Sequence, residues 1–263
     1  MIQRTVTTEN EEIDAYIEAE GLNQLINFNE NAQFQEGAFD LVSNELATQV
    51  PPEKEDLVRL HKFVRRRKSF TALEFGTGYS TIVIADALAK NERDWQALPH
   101  KPELRNRHLF QLFTVDASEK WLENSAAKLP ASLRSRVHFK YSPVEIGTFQ
   151  GQLCHYYKQL PDIVPDFIYL DGPAPKDVQG SINGLTFQCD ERTVMSGDLL
   201  LMESIFLPGT FIVADGRTNN VRFLQRNFKR SYKIVWDREA DITTFELLEP
   251  RLGKYNVLGY DYF

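Results

Sequence analysis

Thr71-Ala72-Leu73-Glu74-Phe75-Gly76-Thr77-Gly78-Tyr79-Ser80-Thr81-Ile82-Val83-Ile84-Ala85-Asp86-Ala87-Leu88 is the stretch from which the fold is read. Its apolar run, Ala72 to Phe75, is interrupted only by Glu74 and stops at Gly76-Thr77-Gly78. A helical pattern follows, with Ile82, Ala85 and Leu88 on one stripe. Strand, glycine turn and helix in this order open a nucleotide-binding βαβ unit. The glycines let the backbone pass close to a ligand without a Cβ in the way. The helix then offers unpaired N–H groups at its first turn. The plainer alternative is a tight strand-to-helix turn that binds nothing.

Glu74 and Thr81 bear on which ligand is meant. A dinucleotide site places a third small residue where this chain has Thr81, so that fingerprint is incomplete. A P-loop needs a Gly-Lys-Ser/Thr end that is absent here. What stands is Glu74-x-Gly76-x-Gly78, with the acid inside the end of the strand. This resembles the first motif of the class I S-adenosylmethionine (SAM) dependent methyltransferases. An acid there suits a cofactor with a cationic amino acid end better than one with a pyrophosphate. The resemblance implies SAM as cofactor, with Glu74, Gly76, Thr77 and Gly78 around it.

The rest of the chain follows the same plan. Leu112-Phe113-Thr114-Val115-Asp116 is a second apolar run ending in an acid. At the tip of the second strand of a doubly wound sheet, such an acid can accept hydrogen bonds from both ribose hydroxyls. Asp116 could instead cap the helix expected from Ser118 to Lys128, although Ser118 suits that task itself. Asp116 lies farther from the glycines than the usual spacing, and Asn91 to His108, polar with two prolines, reads as an insertion that accounts for the excess. Val137 to Tyr141 reads as a third strand. Ser142 after it is either a polar contact to adenine, as the resemblance implies, or a turn serine before Pro143.

Asp166-Phe167-Ile168-Tyr169-Leu170-Asp171 is the fourth strand, nearly continuous in apolar residues as a strand covered on both faces should be. Asp171 at its carboxyl end either points into the ligand crevice or caps the following turn. Gly209 to Asp215 repeats the pattern as the fifth strand, followed by a helix from about Asn219 to Lys229. Tyr232–Asp237 and Ile242–Leu248, joined by a short polar turn, predict a hairpin and not another crossover. Five alternating strand–helix units closed by that hairpin resemble the topology of the class I methyltransferases over roughly Leu57 to Leu248. The expected fold is α/β: a doubly wound, mostly parallel seven-stranded sheet with a C-terminal antiparallel hairpin and an N-terminal helical appendage. The expected division is residues 1–50 as the appendage and 51–263 as the SAM-binding domain.

In that appendage, Glu11 to Ala19 and Gln33 to Gln49 look helical. The resemblance implies that leading helices cover the substrate side of the cofactor cleft. Tyr16, Phe28, Phe34 and Phe39 either line such a cover or pack the appendage onto the core.

Length, charge and cysteine content bound the remaining classes. The 263 residues suit one α/β domain with an appendage. Cys154 and Cys189 have no metal-like spacing and fit a reducing cytosol. No apolar stretch is long enough to span a bilayer and no signal peptide opens the chain, so a soluble cytoplasmic protein is expected. A net charge of −7 weighs against sequence-independent nucleic-acid binding, which depends on phosphate neutralisation. The basic run Arg65-Arg66-Arg67-Lys68 ends a helix that starts near Pro52, where cations complement the dipole. A phosphate- or RNA-docking patch is its sharper alternative. Homo-oligomer formation is left open.

The chemistry is read by elimination and by resemblance. The segment after the fourth strand, Asp171-Gly172-Pro173-Ala174-Pro175-Lys176, lacks the Asn/Asp-Pro-Pro-Tyr/Phe run of amino-directed DNA methyltransferases. No cysteine stands near it for a covalent pyrimidine mechanism. A small-molecule acceptor, most simply an oxygen, remains. The pattern resembles the catechol O-methyltransferase branch and related sugar O-methyltransferases. There, a carboxylate ending the fourth strand and an acid plus a second acid or amide ending the fifth hold a divalent metal that lowers the hydroxyl's pKa. This chain keeps Asp171 and Asp215, but Gly216 stands where the third ligand is expected, and Asn219 or Asn220 would substitute only if the loop folds back. Two carboxylates can hold a magnesium that keeps several waters, yet no metal ligand is assigned. Asp171, Asp215 and Lys176 are the candidate catalytic residues, Lys176 standing near the branch's lysine base but offset from it. His155, His100 and His108 are other base candidates. Two further readings stay open: a methyltransferase-like module that binds without turnover, motivated by Gly216, and a nicotinamide oxidoreductase, opposed by Glu74 and Thr81.

Overall fold

Thr71–Phe75, buried on both faces, is β1, an interior strand of a seven-stranded sheet. The computed structural model describes residues 2–29, 51–189 and 191–263. On one side β1 pairs in parallel with β2 (Gln111–Asp116), which pairs in parallel with β3 (Val137–Tyr141). On the other side it pairs in parallel with β6 (Phe167–Leu170), and β6 pairs likewise with β8 (Phe211–Asp215). β10 (Ile242–Leu247) then runs antiparallel to β8 and to the edge strand β9 (Tyr232–Asp237), which is the expected hairpin. The order is β3-β2-β1-β6-β8-β10-β9.

Side chains alternate between two apolar layers, because successive residues of a strand point to opposite faces. Ala72, Phe167, Tyr169, Phe211 and Val213 enter the layer with Leu60, Val64, Ile82 and Val83. That layer is built on α2 (Lys54–Arg67) and α3 (Tyr79–Gln96). Leu73, Phe75, Ile168, Leu170, Ile212 and Ala214 enter the other, with Leu199, Phe223 and Leu224. Those three come from α5 (Asp198–Met202) and α6 (Thr218–Asn227). The near-continuous apolar runs of β6 and β8 follow from this double cover.

Two expectations need correction. Strand–helix alternation lapses between β3 and β6, and it resumes with α5 ahead of β8. In place of a helix, β4 (Val144–Phe149), β5 (Gln152–Tyr157) and the short β7 (Val178–Gln179) form a second sheet ordered β5-β4-β7. The turn between β4 and β5, Gln150-Gly151, has φ of 49° and 77°, the left-handed pair that a two-residue hairpin requires. The second correction concerns the insertion, which begins after Gln96 and not at Asn91. Asn91 is a buried helical residue whose side-chain amide donates to the carbonyls of Val64 and Ser69.

The basic run behaves as a helix end with local partners. Arg65 donates to Asn91 and Asp94, Arg67 to Glu246 and the Gly209 carbonyl, and Lys68 to Asp94. α1 (Ile2–Glu20) rests on α2, where Tyr16 Oη lies 2.8 Å from His61 Nδ1. Tyr16 and Phe28 pack against apolar residues of this region. Phe34, Phe39 and the helix expected over Gln33–Gln49 lie outside the described residues.

The ends of β1 and β6 nearly touch. A Cβ on Gly172 would stand 2.7 Å from Gly76 N and 2.9 Å from Gly76 Cα, closer than side-chain carbons approach backbone. Gly172→Ala is therefore expected to cost about 1–3 kcal/mol, because the two strand ends must part. Urea unfolding measures this, and an unchanged midpoint would show that the loops separate freely.

Candidate active site

A cavity of about 410 Å³ opens at the carboxyl ends of β1, β2, β6 and β8, the crevice where ligands bind in open α/β sheets. Of the residues singled out from sequence, Gly76, Thr77, Gly78, Asp116, Asp171, Lys176 and Asp215 line it. Glu74 and Ser142 do not, and both are fully buried.

The loop after β1 is shaped by both of its glycines. Gly76 adopts φ +94° and donates its N–H to the Val115 carbonyl. Gly78 is extended and immediately precedes α3. Below them, Ser80 Oγ donates to one Glu74 carboxylate oxygen at 2.5 Å and Thr81 Oγ1 to the other at 2.7 Å. Thr81 Oγ1 also accepts from Gly78 N at 3.2 Å. The threonine that breaks the dinucleotide fingerprint thus bonds the strand-end acid, and Glu74 braces the loop from beneath. Burial raises its carboxyl to about 7, against the pull of the hydroxyls around it.

Asp116 stands on the opposite wall, with one oxygen accepting from Ser118 N at 2.7 Å. Burial raises it to about 7, and the nearby Asp177 and Asp171 push it the same way. The cap of α4 (Glu119–Lys128) is Ser118, whose hydroxyl accepts from Trp121 N. The capping task is therefore met without Asp116. Ser142 ties strand ends together: its N–H donates to the Asp116 carbonyl at 3.0 Å and its Oγ accepts from Gln159 N at 2.9 Å. Both are turn contacts, and Ser142 is not among the residues that line the cavity.

Asp171 and Asp215 end neighbouring strands, and each has a partner that the sequence reading missed. Arg217 reaches back from beyond β8. Its Nη2 lies 3.5 Å from Asp171 Oδ1 and donates to the Asp171 carbonyl, and its Nη1 donates to the Pro173 carbonyl at 3.1 Å. Tyr169 Oη donates to Asp215 Oδ2 at 2.6 Å. Crowding by protein raises the Asp171 carboxyl to about 6 while Arg217 pulls it down. Burial raises Asp215 as well, against the Tyr169 hydrogen bond. Glu53 and Asp56 enter the wall from the start of α2, and Trp121 from the first turn of α4. Tyr169 carried a signal, as a phenol two residues before Asp171 on one strand face. Nothing local linked the start of α2 to this cavity.

The histidines stand elsewhere. His155 is fully buried, neither ring nitrogen has a hydrogen-bond partner, and burial holds it neutral by lowering it to about 3. His108 lines a different cleft, with Phe70, Asp166 and Tyr255. Among the described residues, no three His, Cys, Asp or Glu side chains are grouped to hold a metal ion. No helix among them is long and apolar enough to cross a membrane.

The chain matches no protein-family model and no curated protein. Among solved structures it is similar to the O-methyltransferase TomG from Streptomyces achromogenes, in complex with SAM. The identity is 16%, the TM-score 0.40, and the match covers 76% of this chain and 82% of that one. A methyltransferase from Geobacter sulfurreducens is similar at 14% identity and a TM-score of 0.44, covering 82% and 92%. The Podospora anserina methyltransferase PaMTH1, bound to S-adenosylhomocysteine (SAH), is similar at 14% identity and a TM-score of 0.43, covering 82% and 92%.

The position of Glu74 makes stability depend on pH. Its carboxyl rises from 4.5 to about 7 on folding, so the folded state holds the proton more tightly. That contribution is fully present below about pH 4.5 and is lost as pH climbs through 7. Glu74→Gln removes the titration while keeping the shape. The stability difference between wild type and variant should change by on the order of 3 kcal/mol between pH 4.5 and 7.5. Parallel pH profiles in urea unfolding would mean that Glu74 titrates normally.

Proposed function

We propose that this chain is a SAM-dependent methyltransferase acting on a hydroxyl oxygen of a small molecule. The observation that carries the reading is the sheet order. A dinucleotide-binding sheet is parallel in the order 3-2-1-4-5-6, whereas here the strand beside β8 is antiparallel and belongs to a closing hairpin. That is the topology the sequence resembles, and the glycine loop and Asp116 meet at its switch point.

In this reading the backbone of Gly76, Thr77 and Gly78 lies along the cofactor, and Asp116 accepts from its ribose hydroxyls. Asp171 offers its charge to the cationic amino acid end. Glu74 and Ser142 support the binding residues from behind and do not touch the cofactor. When bound, SAM supplies a sulfonium methyl, so that the acceptor oxygen's lone pair forms the O–C bond as the C–S bond breaks and sulfur keeps the electron pair. Asp215 takes the hydroxyl proton, oriented by Tyr169. Its raised pKa brings a carboxylate closer to what a general base needs near neutrality. Lys176, on the same wall, is the second candidate for the acceptor side.

The part played by residues 1–50 belongs to the same proposal. Glu12 and Ile13 of α1 border a groove of about 740 Å³ that shares Glu53, Asp56 and Asp215 with the cofactor cavity. This supports a cover on the acceptor side, ahead of a SAM-binding domain over 51–263. Free thiols at Cys154 and Cys189 support a cytoplasmic setting. Gly216 favours one competing reading, a module that binds cofactor without turnover.

SAM and SAH should each raise the melting temperature while NAD does not. Stabilisation by NAD alone would overturn the assignment. Asp116→Ala should weaken SAH binding by about 1–3 kcal/mol in calorimetry, the scale of hydrogen bonds to a charged group. Unchanged affinity would remove Asp116 from the ribose site. Turnover against hydroxylated acceptors then separates the enzyme from the binding module.

A further inference from the structure

The carboxylates that would hold a divalent ion in the resembling branch are both engaged. Asp171 has the Arg217 guanidinium 3.5 Å from its Oδ1, and Asp215 has the Tyr169 hydroxyl at 2.6 Å. Gly216, at φ +61°, contributes no side chain. Neither asparagine replaces it. Asn220 is buried with its Oδ1 accepting from Ser196 N at 2.9 Å, and Asn219 is exposed on α6. The residues present therefore do not fit the ion. A divalent ion shared by Asp171 and Asp215 would meet, with its full double charge, a guanidinium that stays charged at any working pH. A singly charged ammonium at Asp171 meets half that repulsion and needs no second carboxylate. Magnesium also demands near-octahedral oxygen geometry and gives up its waters reluctantly.

We propose that Arg217 is the resident cation of this site and stands in place of a divalent metal beside the two strand-end carboxylates. This rests on the methyltransferase reading and adds where the positive charge near the acceptor comes from. The guanidinium is tethered at both ends of its fork, by the Asp171 and Pro173 carbonyls. It is the first residue after the Asp215-Gly216 turn, so one strand end supplies both the carboxylate and its countercharge. Its influence pulls down both the Asp171 and Asp215 carboxyls, which is what a cation set near both should do. A fixed charge at this place opposes metal entry and stabilises negative charge developing on the acceptor oxygen.

The test is titration of Mn²⁺ into the full chain, read by calorimetry and by the loss of free-ion signal in electron paramagnetic resonance. Wild type should take up no ion at Asp171 and Asp215. Arg217→Ala should bind Mn²⁺ at least about ten-fold more tightly than wild type, and adding Asp215→Asn should abolish the gain. Arg217→Lys, which keeps the charge, should restore exclusion. Arg217→Gln serves the same purpose should the alanine variant fail to fold. Wild-type binding that Asp215→Asn removes would overturn the proposal. So would an Arg217→Ala or Arg217→Gln protein that binds no better than wild type. Thermal stabilisation by SAH, measured on the same samples, reports on the cofactor reading separately. If SAH stabilises and wild type binds the ion, the Arg217 proposal fails alone. If SAH does not stabilise, the cofactor reading fails, and the Mn²⁺ result still decides whether Arg217 excludes a metal.

Discussion

A buried carboxylate in the middle of the sheet sets the geometry on which the site depends. Glu74 has no exposure, and its two oxygens are taken by hydroxyls from the first turn of α3. Burying a carboxyl is costly unless its lone pairs are satisfied. Here the satisfaction comes from the chain segment that must be held, so the end of β1 and the start of α3 are locked across the glycine loop. Gly76 and Gly172 then let the ends of two parallel strands approach at backbone distance. Any side chain at Gly172 would widen the floor of the cavity. The apolar layers make the sheet, but this polar brace and this close approach make its carboxyl edge into a shaped crevice.

The crevice is strongly acidic. Glu53, Asp56, Asp116, Asp171, Asp177 and Asp215 line it, and the cations on its wall are Lys176 and Arg217. Burial raises the Asp116 and Asp171 carboxyls, and the negative charge of neighbouring carboxylates pushes both the same way. A cationic ligand relieves that repulsion and an anionic one aggravates it. The balance therefore favours a sulfonium with an ammonium group over a pyrophosphate, in line with the sheet order and the Glu74 motif. The acidic groove beside it, with Glu12, Glu55, Asp237, Glu239 and Asp241, carries the same sign of field along the edge that Glu53, Asp56 and Asp215 share with the crevice.

The second sheet shows how a familiar plan is altered without moving the site. β4, β5 and β7 replace a helical crossover, yet β6 still pairs with β1 in parallel. The small sheet is tied to the main one through Ser142 and through the Asp198 carboxylate, which accepts from Tyr157 N. Asp198 is buried, and that burial raises its carboxyl to about 8 against the Tyr157 N–H that it accepts. His155 lies beside it as a neutral ring, its Nε2 4.0 Å from Asp198 Oδ2. Burial at this joint favours uncharged forms of groups that would be ionised at the surface.

What the sequence by itself determined is everything that depends on local periodicity and on chain order. Continuous apolar runs ending in Asp116, Asp171 and Asp215 mark parallel strands covered on both faces. Parallel strands in that order bring those carboxyl ends to one edge, so the convergence of the three acids with the glycine loop was legible before any coordinate. The closing hairpin was legible because two β-rich runs were separated only by a polar turn. Tertiary structure alone decided which groups pair across that edge. Arg217 meets Asp171, and Tyr169 meets Asp215, each across 46 residues of chain. Such pairings are set by strand register and loop direction, which no local pattern encodes. The same holds for Glu53 and Asp56, brought to the cavity by the packing of α2 on the sheet. It holds too for Glu74, whose side chain points beneath the loop and not into the crevice. Sequence periodicity places a residue on a face or at an end, whereas the direction of a side chain at a strand end is settled only when its neighbours from distant segments arrive.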